Sequence, residues 1–95
     1  MYTFWVTLFD RNFIDSFFAT LIYRGFTVSG VATPVLMSEE NFPGGVLTFA
    51  TINNGEPLSI TECLAEVKEA LESNKMYYHS IVVMNSETTT WCILS

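Results

Sequence analysis

Positive charge is the scarcest property of this chain: four Lys and Arg residues stand against ten Asp and Glu, a formal charge of -6 over 95 residues. That deficit opposes contact with nucleic acid or an anionic membrane surface, since both require cations to neutralise phosphate or headgroup charge. A basic partner is favoured instead. Histidine is rarer still, with His79 alone, and the two cysteines, Cys63 and Cys92, are far apart in sequence, so no recognisable metal-ligand set forms and no metal or cofactor is expected. Two thiols in a small unexported chain are expected to be reduced and packed. Long apolar runs are also missing: Thr, Ser, Asn or charge interrupts each one well before the ~20 residues a bilayer span needs. Residues 1–9 lack the positive flank of a signal peptide, which points to a cytoplasmic protein.

What the chain has in quantity is apolar volume. Hydrophobic residues make up 49% of it, with eight Phe, four Tyr and two Trp. A chain this short buries roughly 60% of its unfolded surface, and large aromatic side chains supply a core of that size. One domain spanning residues 1–95 is expected, without disorder.

The helical signal is clearest over residues 59–73. Ser59 and Glu62 fit a capping box, while Ile60, Leu64, Val67 and Leu71 recur at the spacing of one helical face. Glu62, Glu66, Glu69 and Glu72 form an acidic ladder on the other side. A first helix is expected from a cap at Asp10 or Asn12 through Tyr23, with Phe13, Phe17 and Leu21 alongside Ile14, Phe18 and Ile22 as its apolar stripe and Gly25 as its terminator. Strands are expected at residues 2–9, 46–52, 77–85 and 88–94, together with an irregular edge strand over 26–36, where Gly30 and Pro34 interrupt the pattern. Residues 37–45 carry turn chemistry, and Ser86-Glu87 separates a terminal hairpin.

The order β-α-β-β-α-β-β matches a ferredoxin-like α+β sandwich with an extra C-terminal strand, an antiparallel sheet carrying both helices on one face. The opposite face must then hold either the Trp5 and Thr7 set or the Phe4 and Val6 set, and neither is a polar surface. Soluble monomers seldom expose large contiguous apolar patches. A homodimer through the open sheet face or an edge strand is therefore expected, with Trp5 and Thr7 at the interface.

Catalytic chemistry finds little support. His79 has no orienting carboxylate in its strand, and Cys63, although in the first turn of its helix, is flanked by Glu62 and Glu66 rather than by a cation. Residues 44–50, Gly-Gly-Val-Leu-Thr-Phe-Ala, faintly resemble the RNA-recognition strand motif, which would make Phe49 a stacking platform, but the leading basic residue is missing. An enzyme is not expected.

The leading expectation is a small acidic, non-enzymatic protein-interaction module that binds and blocks a basic surface on a larger protein. In size and charge the chain is similar to small acidic inhibitors carried by phages and mobile elements, anti-CRISPR proteins among them. Its expected contacts are Glu62, Glu66, Glu69 and Glu72, with Glu39, Glu40 and Phe42 as a second patch. The alternative is a dimeric domain that binds an amino acid or nucleotide through Asp10, Arg11, Asn12 and Arg24 near helix ends, or through Tyr77 and His79 on the late strand.

Overall fold

A computed structural model describes residues 1–9, 14–30, 35–36, 46–54 and 58–94. Strand β1 (Tyr2–Leu8) lies in the middle of the sheet, where alternation decides which side chains are covered. Phe4, Val6 and Leu8 are fully buried, whereas Thr3, Trp5 and Thr7 turn to the other face and are only half-buried. The Phe4 and Val6 set is thus the one beneath the helices.

Helix α1 (Ile14–Tyr23) follows, then β2 (Phe26–Ser29), the two-residue β3 (Val35–Leu36) and the long β4 (Val46–Asn54). Helix α2 (Ile60–Ser73) leads to β5 (Tyr78–Asn85) and β6 (Thr90–Leu94). The protein is α+β, with one antiparallel sheet in the order β2-β4-β1-β5-β6 and β3 paired to β4. Two departures separate this sheet from a four-stranded ferredoxin-like one. Strand β6 extends it past β5, and the expected strand over 26–36 is two short pieces, because Gly30 at φ +63° ends β2.

Both helices press on the same side of the sheet. Phe17, Phe18 and Leu21 of α1 and Cys63, Val67, Ala70 and Leu71 of α2 form one cluster with Phe4, Val6, Leu8, Ile52, Ile81 and Val83. Phe17 meets Phe4 edge to face at 5.8 Å between ring centroids, a favoured aromatic geometry. The Tyr2 hydroxyl donates to the Leu58 carbonyl, tying the start of β1 to the approach of α2.

Several sequence expectations are corrected. The inward stripe of α1 ends at Leu21: Ile22 is 58% and Tyr23 92% exposed, because a 3.6-residue period that buries 14, 17, 18 and 21 turns 22 and 23 outward. Cys63, outside the expected apolar face of Ile60, Leu64, Val67 and Leu71, is fully buried, while Ile60 and Leu64 are only partly covered. Strand β4 runs on to Asn54, so its pairing with β2 continues two residues past the expected strand end at residue 52. The terminal hairpin turns over residues 86–89 rather than two, with Thr89 at φ +54° and the Asn85 Oδ1 accepting from the Glu87 and Thr88 amides.

Candidate functional site

Helix α2 begins as its sequence implies. The Ser59 hydroxyl accepts from the Glu62 amide at 3.2 Å and donates to the Glu62 carboxylate at 3.0 Å, so Glu62 belongs to the cap. The rest of the ladder is largely engaged. Arg24, just beyond α1, reaches across to α2, with Nε 2.8 Å from Glu66 and Nη2 2.6 Å from Glu69. These bonds raise the Arg24 pKa, above all the one to Glu69. Glu72 lies 3.8 Å from Lys68 one turn away. Four glutamates with Arg24, Lys68 and Lys75 leave a single net negative charge in this region, because four acids meet three bases. The ladder is therefore a helix-to-helix clip as much as an outward acidic face.

Arg24 was expected as a ligand group, yet its guanidinium is held by this clip. Asp10, Arg11 and Asn12 of the same expected set lie outside the described residues, as do Glu39, Glu40 and Phe42. The other pair, Tyr77 and His79, is brought together. A bulge shifts the β1–β5 register between Thr7 and Leu8, whose partners are Ser80 and Tyr78, and so falls at His79. Next to it an open cleft of about 640 Å³ is lined by Glu72, Lys75, Met76, Tyr77, Tyr78 and His79. Lys75 enters the lining because it takes φ +56° immediately after the α2 C-cap Asn74. Nothing in the sequence flagged Lys75 as part of this constellation.

The open sheet face has a different chemistry. Register places Trp5 of β1 beside Val82 of β5, which in turn pairs with Ile93 of β6, while Met84 pairs with Trp91. The Trp5 and Trp91 rings stack at 5.5 Å with 20° between their planes, although they stand 86 positions apart in the chain. Trp91 remains 50% and Ile93 65% exposed. No described residue that register assigns to this face is Asp, Glu, Lys or Arg. Trp91 and Ile93 were missed as surface candidates; the hairpin register, which returns β6 alongside β5, is what brings them beside Trp5.

The thiols differ in setting. Burial, reinforced by the nearby Glu66 carboxylate, pushes the Cys63 pKa up to about 12, which leaves it protonated and unreactive at neutral pH. Cys92 is a free thiol of intermediate burial on β6. Among the described residues, no group of three or more His, Cys, Asp or Glu side chains is arranged to hold a metal ion. Nor is any described helix long and apolar enough to cross a membrane.

No protein-family model matches the chain, and neither a curated protein nor a solved structure is similar to it.

Proposed function

We propose that this chain is a small acidic, non-enzymatic protein-interaction module that works as a cytoplasmic homodimer, built on a ferredoxin-like arrangement of β1, α1, β2, β4, α2 and β5 with β6 added. The observation that carries the reading is the chemical separation of its two sides. Among the described residues the open sheet face carries no Asp, Glu, Lys or Arg and holds the stacked Trp5–Trp91 pair, while Arg24 and the ionic residues of α2 lie on the helix side. Stacked aromatic side chains on an uncharged surface are typical of contacts between proteins.

In this reading two copies join through the open sheet face or an edge strand, and the helix side faces a basic surface of a larger protein, the mode of action of a phage or mobile-element inhibitor. Glu62 and Glu72 supply that contact, and Glu66 and Glu69 contribute through the clip with Arg24; Glu39, Glu40 and Phe42, outside the described residues, are the second patch of the same reading. The test compares the parent chain with a Glu62→Gln, Glu72→Gln variant in capture of host proteins at about 50 and about 500 mM salt. Glutamine keeps the capping geometry and leaves the Arg24 clip intact. A partner held at low salt, released at high salt and weakened in the variant supports the reading. Partners indifferent to both changes refute the acidic contact.

The cleft favours a second reading, a ligand-binding domain. Lys75 and His79 border it beside the phenols of Tyr77 and Tyr78, a setting suited to a small anionic or aromatic metabolite. An amino acid or nucleotide that raises the melting temperature, and fails to do so after His79→Ala and Tyr77→Ala, supports that class. Silence across such a panel removes it.

A further inference from the structure

The sheet has two ends, and they are protected differently. At one end β2 is four residues long and stops at Gly30, with the separate β3 pairing further along β4. At the other end β6 has β5 on one side and no described strand on the other. Exposed strand edges are normally blunted by a lysine, a proline, a bulge or extreme shortness, since their free N–H and C=O groups recruit any passing strand. Strand β6 reads Thr-Trp-Cys-Ile-Leu: five residues with no charge, no proline and no glycine, in regular register with β5 along its whole length. Its open-face side chains, Trp91 and Ile93, are both exposed large apolar groups.

We propose that β6 is a self-association edge, where two copies of the chain pair β6 to β6, antiparallel, about a two-fold axis at Cys92. This rests on the homodimer reading above and specifies its geometry. The pleat dictates the register. Opposed residues in an antiparallel pair must lie on the same face, so a two-fold axis passes through a residue position and never between two. Centring on Cys92 is the choice that pairs all five residues: Trp91 with Ile93 of the partner subunit, Thr90 with Leu94 of the partner subunit, and Cys92 with Cys92 of the partner subunit. An aromatic residue opposite a β-branched one is a favourable cross-strand pair, and the two-fold axis makes it twice.

Self-complementarity selects a second copy: about Cys92 the strand is its own antiparallel partner, and no charge on β6 opposes the pairing. Each chain carries -6, so self-association requires a seam free of acids, and β6 is one. The nearest described carboxylate in sequence, Glu87, is in the hairpin turn; antiparallel pairing sends the two turns to opposite ends of the seam. A basic partner strand would find no countercharge on this edge. The Trp5–Trp91 stack then continues across the seam as part of one twelve-stranded sheet.

The test uses the intact chain. Light scattering on a sizing column should give 21.4 kDa, twice the 10.7 kDa of one chain. Diamide should convert two Cys92 thiols to one intermolecular disulfide, two electrons and two protons passing to the diamide, and yield a covalent dimer on a non-reducing gel. Cys92→Ser should abolish that band and Cys63→Ser should retain it. Ile93→Lys alters a residue already 65% exposed, so it should fold, confirmed by circular dichroism, and run at 10.7 kDa. A dimer that survives Ile93→Lys and forms no Cys92 disulfide overturns β6 pairing while leaving the homodimer reading intact, with the Trp5 face as its seam. A chain that stays at 10.7 kDa up to millimolar concentration overturns both.

Discussion

Replacing Arg24 with Ala separates the structural from the functional meaning of the glutamate ladder. The guanidinium makes a 2.8 Å contact to Glu66 and a 2.6 Å contact to Glu69. The three side chains are 32%, 29% and 56% exposed, so solvent screens much of the attraction. Exposed ion pairs measured in double-mutant cycles contribute about 0.2–1 kcal/mol each. Two pairs sharing one rigid guanidinium should then hold α1 to α2 by about 1 kcal/mol, worth about 4–8 °C in melting temperature for a domain of this size. The assay is a double-mutant cycle of Arg24→Ala and Glu66→Gln by urea denaturation at about 20 mM and about 500 mM salt. The expected coupling is about 0.5 kcal/mol at low salt, shrinking at high salt. A coupling of zero at low salt would refute the clip, and Glu66 and Glu69 would then be free acids available to a partner.

Three further outcomes follow from the packing. Because the folded-state pKa of Cys63 is raised to about 12, the unfolded chain loses this proton first; stability should be intact below about pH 8.5 and fall by up to about 1.4 kcal/mol per pH unit between there and pH 12. Cys63→Ala should flatten that alkaline limb in a pH series of melting curves. Phe17→Ala removes a fully buried ring in contact with Phe4 and should cost about 3–5 kcal/mol by chemical denaturation, enough to leave much of so small a domain unfolded. Thr89→Gly relieves a β-branched residue held at φ +54° and should raise the melting temperature, a gain of about 1 kcal/mol at most.

The acidic helix shows how far local sequence reaches. Ser59, Glu62 and the apolar spacing behind them describe contacts within one or two turns, and the helix starts where they say it does. What Glu66 and Glu69 do was not legible there. Their partner, Arg24, is more than forty positions away and arrives only when α1 and α2 settle on the same face of the sheet. Ile22 and Tyr23 show the same limit: an apolar letter at the end of a stripe is buried only if the neighbouring layer extends far enough to cover it.

By itself, then, the sequence determined the element types, the capped acidic helix, the central strand with two apolar faces and the shortage of cations, because each depends on composition or on periodicity within a few residues. Only the tertiary structure decided which face of β1 the helices cover, that Arg24 engages two of the four ladder glutamates, that Lys75 joins Tyr77 and His79 around a cleft, and that Trp91 returns to stack on Trp5. The reason is physical: those relations depend on strand order and register, which arise from long-range packing rather than from any local run of residues.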